Sequence, residues 1–315
     1  RYTALSHLQF TPPLQQSMTF SLQDFQQHLS EPEYSLLLSS ISGHKSPPAQ
    51  LINRISEVLQ QWAAKNGTTQ FCHWFQPLTG MTAEKHDSFV DYDSKQNLIH
   101  LFSGLSLVKG EADASSFPSG SVRQTFEARG YTIWDPSSHI FIKQQGQSKV
   151  MCIPSVFCSY SGDILDEKTP LLKAQAAMSA ECTKLLNKLG VSCEKVSSMT
   201  GSEQEYFLID IEHYNRRIDI QQCGRTLFGA APAKTQQMQD HYFGNIPVKI
   251  ANFMATVNKK LNSMNIPVKT QHNEVAPHQH EIVCLHSDVS LSVDQNLIVM
   301  QTLNEVAEQL GMKCL

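Results

Sequence analysis

The feature that most constrains the fold of this chain is a proline-broken turn at residues 272–281, between two strand-like segments. Period-two alternation in the first segment places His272 and Glu274 on one face. The turn brings Glu274 close to Glu281, and two nearby carboxylates repel each other unless a proton or a cation lies between them. A carboxylate pair in oxygen-rich surroundings suits Mg²⁺ or Mn²⁺. A solvated acidic turn on the surface is the alternative for this stretch taken alone.

A second acidic stretch strengthens the metal hypothesis. Residues 203–210 have the composition of a strand, and alternation places Glu203, Glu205 and two apolar side chains on the same face. We expect that face to point toward the core, where carboxylates are unfavourable unless they are paired or bind a metal. Together with Glu274 and Glu281, these residues predict a site for more than one metal ion.

The order of these two motifs resembles that of glutamine synthetases, specifically the long type III form. Glu-x-Glu-Tyr-Phe at residues 203–207 is followed about seventy residues later by His-Asn-Glu-Val-Ala-Pro-x-Gln-His-Glu at residues 272–281. Further stretches similar to this type are His-Trp-Phe-Gln-Pro-Leu-Thr-Gly at 73–80, Thr-Ala-Glu-Lys-His-Asp at 82–87, Asp-Ala-Ser-Ser-Phe-Pro-Ser-Gly at 113–120, Thr-Phe-Glu-Ala-Arg-Gly-Tyr at 125–131, Gly-Arg-Thr-Leu-Phe-Gly-Ala at 224–230 and Asp-His-Tyr-Phe-Gly at 240–244. Their joint occurrence in this order makes the resemblance specific.

The resemblance implies an α+β fold with three parts. A helical N-terminal extension at residues 1–68 precedes a β-grasp-like domain at residues 69–162. Residues 163–315 then correspond to part of the glutamine synthetase catalytic α/β barrel, which is rich in antiparallel strands. In the family, the sequence continues past the position of Leu315 into a Gly-Ser-Gly-x-His segment. We therefore expect this catalytic domain to be incomplete and the chain to be part of a longer enzyme.

The resemblance also implies ATP-dependent ligation of ammonia to the γ-carboxylate of glutamate through a γ-glutamyl phosphate, giving glutamine, ADP and phosphate. In the family, the glutamates that match Glu205, Glu274 and Glu281 hold a divalent cation near the glutamate substrate. The glutamate that matches Glu203 belongs to a second cation, beside the nucleotide phosphates. We therefore expect two or more Mg²⁺ or Mn²⁺ ions per site, with ATP as co-substrate and glutamate and ammonium as partners.

Asp113 is the expected catalytic residue. It stands where the family has an aspartate that helps to bind ammonium and takes a proton from it, and an aspartate can do both through charge and hydrogen bonds. The family lends this residue to the active site of a neighbouring subunit, so we expect a homo-oligomer with active sites at subunit interfaces. The alternative is that Asp113 and Ser115 only cap a turn. Ala114 replaces the glycine of the commoner forms.

Composition excludes several other classes of protein. A net charge of −4 without a basic stripe gives no indication of a surface that binds nucleic acid. No segment approaches the roughly 20 apolar residues of a membrane span. The eight cysteines are scattered without Cys-x-x-Cys pairs, which favours reduced thiols in a cytoplasmic protein over a zinc site or a set of disulfides.

Two alternatives to the ligase remain at this stage. A catalytically inactive relative could serve structure or assembly, although four retained glutamates argue against decayed chemistry. A metal-dependent hydrolase could use the same carboxylates, but no His-Glu-x-x-His or comparable base motif supports it.

Local signals predict where several helices begin. Ser21 and the pair Pro47-Pro48 are expected to open two helices in the first part of the chain. In the second part, we expect Thr169 to cap a helix that Pro170 opens, and Asp294 to cap the last helix.

Overall fold

The computed structural model describes residues 18–43, 45–114, 129–230 and 242–315. These residues form helices and mostly antiparallel strands, which confirms the α+β class expected from the sequence. Ser115 and the remainder of its motif to Gly120 lie outside the described residues, as do residues 125–128 and 240–241 of two other motifs.

The first part of the described chain contains a seven-stranded sheet and four helices. Its elements in order are β1 (Thr19–Phe20), α1 (Leu22–His28), α2 (Glu31–Ser42), α3 (Ala49–Lys65), β2 (Gln70–Phe75), β3 (Ala83–Ser88), β4 (Asp91–Tyr92), β5 (Leu98–Ile99), α4 (Gly104–Val108), β6 (Lys109–Asp113), β7 (Arg129–Trp134), β8 (Ile140–Gln145) and β9 (Ser148–Ser159). The predicted start at Ser21 is confirmed, because its hydroxyl and the Asp24 carboxylate cap each other's backbone at the beginning of α1.

The second part of the described chain contains a four-stranded sheet and the longest helices. Its elements in order are α5 (Lys168–Lys188), β10 (Met199–Thr200), β11 (Glu203–Asp210), α6 (Ile211–Asn215), α7 (Ile218–Cys223), α8 (Val248–Ser263), β12 (Val268–Asn273), β13 (Gln279–Cys284), β14 (Ser287–Asp288), α9 (Val289–Gln309) and β15 (Met312–Cys314). None of the described helices combines the length and the apolar character needed to cross a bilayer.

The central strands of the seven-stranded sheet are buried on both faces. Its path runs β1-β8-β9-β2-β3, with β7 added to β9 and β6 added to β7, and only β2 and β9 pair in parallel. Because side chains alternate along a strand, Phe71 and Met151 point to the side covered by α1, α3 and α4. Their neighbours Cys72 and Cys152 point to the opposite side, which faces α8 and α9.

Helices α8 and α9 lie between the two sheets. Phe253 of α8 and Val306 of α9 are fully buried in one cluster that joins the seven-stranded sheet to the four-stranded sheet. The four-stranded sheet has the order β12-β13-β11-β15 and contributes Tyr206 and Ile282 to this cluster. Each such large apolar side chain contributes roughly 1.5–3 kcal/mol when it is fully buried. The opposite face of the four-stranded sheet carries the predicted metal ligands.

Three sequence-based expectations are wrong. Helix α5 begins at Lys168 after Glu167, so Thr169 lies in its first turn and does not cap it. The face of β11 with Glu203 and Glu205 does not point toward the core, because Tyr206 and Leu208 on its other face take that position. The last helix begins at Val289 after a cap by Asp288, and Asp294 lies buried within it. A polar residue at an apparent helix start can equally serve a buried contact, and Asp294 does so. The division into residues 1–68, 69–162 and 163–315 stays a prediction.

A buried lysine connects three parts of the fold. Lys168, the first residue of α5, is 5% exposed, and its Nζ lies 2.8 Å from Asp135 Oδ2 and 2.5 Å from Asp294 Oδ2. Asp135 follows β7 and Asp294 belongs to α9, so one ammonium group links the end of β7 and helix α9 to α5. Burial raises the pKa of Asp294, whereas Lys168 outweighs burial at Asp135 and lowers the pKa of that carboxyl. The Ser138 hydroxyl donates to Asp294 at 2.5 Å and completes the network.

We predict that Lys168→Met lowers the free energy of unfolding by about 3–5 kcal/mol, because it leaves two buried carboxylates without their cation. Lys184→Met is the matched control in the same helix, since Lys184 is 66% exposed and pairs only with Glu181 among the described ion pairs. Lys184→Met should lower the free energy of unfolding by less than about 1 kcal/mol. Denaturant titration of both variants measures the difference, and equal losses would show that the network does not stabilise the fold.

Candidate metal centre

The core of the candidate site is a row of three side chains across three neighbouring strands. In the antiparallel registers, Glu205 of β11 lies opposite Glu281 of β13, and Glu281 lies opposite His272 of β12. Residues directly opposite each other share a face and have Cβ atoms about 4.5–5.5 Å apart. The row therefore gathers two carboxylates and one imidazole on the face of the sheet that points away from α8 and α9.

The turn after β12 adds the fourth group. Glu274 pairs its backbone with Gln279, because its N–H donates to the Gln279 carbonyl at 2.9 Å. Between them, Pro277 is followed by His278, which adopts a left-handed backbone with φ of 60°. This tight reversal places the Glu274 side chain over the row, and its exposed fraction is 15%.

Three of these groups converge closely enough to share one ion. Ligand atoms of His272, Glu274 and Glu281 all lie within 4.8 Å of one another. His272 Nε2 is 3.0 Å from Glu281 Oε2, and His272 Nδ1 is 3.8 Å from Glu274 Oε1. The Glu281 side chain is 8% exposed, so its carboxylate has lost most of its water.

The electrostatics of this cluster favour a cation. Burial raises the pKa of Glu281, and a hydrogen bond with Glu274 and the charges of Glu274 and Glu203 raise it further. His272 acts in the opposite direction but does not cancel the effect. The group therefore carries more negative charge than its own side chains compensate, and a divalent cation would offset the excess. The carboxylate oxygens of this cluster fit Mg²⁺ or Mn²⁺ by donor chemistry.

The other two predicted glutamates lie on the same face without joining the three-residue cluster. Glu205 is exposed, and its Oε2 accepts a hydrogen bond from Gln279 Nε2 at 2.6 Å. Glu203 lies one step further along β11, opposite Val283, and is near enough to influence the charge of Glu281. The structure thus brings Glu274 and Glu281 into contact and sets Glu203 and Glu205 beside them.

Asp113 lies in the other sheet. It is the last residue of β6, where it pairs in register with Arg129 of β7, and it is exposed. Because the glutamates belong to the four-stranded sheet, the structure does not bring Asp113 into the carboxylate row of the same chain. The role of Asp113 stays a prediction.

Sequence reasoning did not select two residues of this face. These are His272, which lies beside Glu281, and Gln279, which lies beside Glu205. Period-two counting from Glu281 and Glu274 places both on the acidic face, which is the signal that could have found them. His280 lies on the opposite face, where burial and the neighbouring His278 lower its pKa to about 4.

Comparison with known families agrees with this architecture. Residues 14–174 match the family model described as glutamine synthetase type III N terminal, and residues 182–314 match that of the glutamine synthetase catalytic domain. Both matched regions define a protein of the glutamine synthetase class. The chain belongs to the type III glutamine synthetases.

Two curated relatives support the same family. The type-3 glutamine synthetase of Dictyostelium discoideum is 40% identical over 301 residues, which cover 95% of this chain and 41% of the relative. A glutamine synthetase of Bacteroides fragilis (strain YCH46) is 41% identical over 293 residues, covering 93% of this chain and 40% of the relative. The chain therefore spans about 40% of the length of these relatives.

Solved structures show the same fold. A Plasmodium falciparum glutamine synthetase determined by cryo-electron microscopy superposes with a TM-score of 0.55, covering 82% of this chain and 50% of that chain. Apo GmaS superposes with a TM-score of 0.54 over the same share of this chain. The identities of 17% and 16% limit these likenesses to the fold.

We predict that Glu274→Gln makes the metal-free protein more stable at neutral pH. A carboxyl whose pKa is raised in the fold loses stability as the pH rises from its unfolded value to its folded value, because the folded state retains the proton longer. Glu274→Gln removes the neighbouring charge and so lowers the pKa of Glu281. The pH range over which the fold loses stability then becomes narrower. The free energy of unfolding, measured in chelator between about pH 4 and 8, should be higher for Glu274→Gln than for the wild type at neutral pH. The difference should shrink toward the acidic end.

His272→Gln is the opposing control for this prediction. It removes the group that lowers the pKa of Glu281, so it should reduce stability at neutral pH. If both variants change stability in the same direction, charge repulsion is not the dominant property of this site.

Proposed function

We propose that the whole protein to which this chain belongs joins ammonia to the γ-carboxylate of glutamate with ATP, through a γ-glutamyl phosphate. The observation that carries the proposal is the shared acidic face, on which Glu203, Glu205, Glu274 and Glu281 gather in a chain of this family. The relatives are longer than the chain, so the proposal concerns the whole protein.

The four glutamates divide naturally between two cations. Glu205, Glu274 and Glu281 would hold one ion near the glutamate substrate, and Glu203 would belong to a second ion beside the nucleotide. Support comes from the strand geometry, because same-face residues on one strand lie about 7 Å apart and can serve neighbouring ions. When bound, Mg²⁺ or Mn²⁺ would neutralise negative charge during phosphoryl transfer.

The residues around the glutamates orient them. His272 approaches Glu281 at 3.0 Å, and Gln279 donates to Glu205 at 2.6 Å. Such contacts fix which carboxylate oxygen faces the ion and commonly change metal affinity by about 10- to 100-fold. We therefore assign His272 and Gln279 as positioning residues of this centre.

Asp113 completes the proposal. Its carboxylate would bind ammonium and accept a proton as the amine attacks the activated glutamate. Because Asp113 belongs to the seven-stranded sheet, its service at an active site of a neighbouring subunit is consistent with its place in the fold. The proposal therefore includes a homo-oligomer with active sites at subunit interfaces, in the cytoplasm.

We predict that Glu205→Gln lowers phosphate release that depends on ATP, glutamate and ammonium by at least about 100-fold, because loss of a ligand should exceed loss of an orienting contact. Glu212→Gln is the matched control, since Glu212 is an exposed glutamate of α6 outside the acidic face. The control should keep full turnover.

The same assay separates the candidate functions. Absence of phosphate release in the whole wild-type protein would overturn the ligase and favour a structural role. Release that does not require glutamate and ammonium would favour a hydrolase instead.

A further inference from the structure

A second group of metal-binding side chains lies on the seven-stranded sheet. Among the described residues, ligand atoms of Cys72, Glu84 and His86 all lie within 4.8 Å of one another. Glu84 and His86 belong to the Thr-Ala-Glu-Lys-His-Asp segment, which the glutamine synthetase reaction as described above does not use. This group is separate from the acidic face, because it belongs to a different sheet.

The strand register adds a second thiol to this group. Cys72 of β2 lies opposite His86 of β3 in the antiparallel pair and opposite Cys152 of β9 in the parallel pair. The three side chains therefore form a row on one face of three adjacent strands. Glu84 lies two residues before His86 and shares that face. Hydrogen-bonded strands hold all four groups, so the arrangement is set by the backbone.

Two of the distances between these groups are close to the edges of a tetrahedral site. The sulfur atoms of Cys72 and Cys152 are 3.6 Å apart, and His86 Nε2 lies 2.9 Å from Glu84 Oε2. With Zn–S bonds of about 2.3 Å and Zn–N or Zn–O bonds of about 2.0–2.2 Å, the edges of a tetrahedron are about 3.8 Å between sulfurs and about 3.3–3.6 Å between the lighter atoms. The sulfur pair already fits this edge, whereas the His86–Glu84 pair would have to open by roughly 0.4–0.7 Å. Cys152 Sγ lies beside Cys72 but outside the 4.8 Å cluster of the other three ligand atoms, so it would have to turn toward them.

We propose that Cys72, Cys152, Glu84 and His86 bind a thiophilic divalent metal ion of the zinc type. Two sulfurs, one imidazole and one carboxylate are the donors that zinc accepts, whereas Mg²⁺ prefers oxygen. The ion would tie β3, which pairs only with β2 among the described strands, to the interior of the sheet.

The charges at the site balance when the ion is bound. Binding converts two thiols to thiolates and releases two protons to solvent, so the ion, two thiolates and the Glu84 carboxylate sum to −1. Lys143 supplies the compensating positive charge, because its Nζ lies 2.8 Å from Glu84 Oε1. Lys143 Nζ also lies 3.6 Å from Glu305 Oε1, but Glu305 has its own cation in Lys260. Lys143 contacts Oε1, so the metal would take Oε2 together with the His86 Nε2 that now faces it.

The competing interpretation treats these residues as packing and an ion pair. Both cysteines are fully buried, and buried thiols often serve only as small apolar groups. Burial, Cys72 and Glu84 raise the pKa of Cys152, so this thiol stays protonated without a cation. This interpretation accounts for Glu84 with Lys143, but it gives no reason for the alignment of two thiols with an imidazole.

Cobalt titration of the reduced, purified protein tests the proposal. With Mg²⁺ present in excess to occupy the carboxylate face, Co²⁺ should produce a thiolate-to-cobalt charge-transfer absorption that saturates at one equivalent. The titration should release about two protons per ion, and one equivalent of Zn²⁺ should remove the absorption.

Variants separate this site from other cysteines. Cys72→Ala and Cys152→Ala should each remove half or more of the absorption, whereas Cys158→Ala, in the same strand as Cys152, should leave it unchanged. His86→Ala alters a side chain that is 30% exposed and so spares the core, and it should weaken Co²⁺ binding by at least about 10-fold. This last variant decides the question if the cysteine variants do not fold.

Two results would overturn the proposal. One is the absence of a charge-transfer band in the wild-type protein at one equivalent of Co²⁺. The other is unchanged Co²⁺ affinity in His86→Ala, which would leave only a buried thiol pair beside an ion pair. Neither result depends on ligase activity.

Discussion

The candidate centre depends on the pairing of β11 with β13 while one face of that sheet is buried. Tyr206 and Ile282 pack against α8 and α9, so the alternate positions must point away from the helices. Glu205 and Glu281 occupy those alternate positions opposite each other. A slip of one residue would send the carboxylates into the core and the apolar side chains out. Hydrophobic burial on one face therefore fixes the acidic row on the other.

The two charged clusters of the fold are built differently. Around Lys168, two buried carboxylates share one ammonium and one of them also accepts from a serine hydroxyl, so each carboxylate has a cation in direct contact within the protein. Around Glu281, neighbouring carboxylates outweigh the single imidazole and raise the pKa of that carboxyl. A fold that keeps uncompensated like charges close together gives up stability there. Such local conflict is what a site for an external cation requires.

The sequence predicted much of this arrangement, and its failures have physical causes. Composition predicts a strand at residues 203–210, which are the observed bounds of β11, and the sequence also predicts the hairpin around Pro277. Period two shows which residues share a face, but it does not show which face is buried, so the acidic face was assigned to the core. The contact of His272 with Glu281 depends on register between strands, which one segment does not reveal. Asp294 looked like a cap because its buried partner Lys168 is 126 residues away.

The central claim is that the acidic face binds divalent cations through these glutamates. The most direct measurement is an anomalous difference map from crystals of the whole protein grown with Mn²⁺. The account predicts a manganese peak in direct contact with carboxylate oxygens of Glu205, Glu274 and Glu281, and a second ion beside Glu203. Manganese bound elsewhere, with these carboxylates contacting only water and one another, would contradict it.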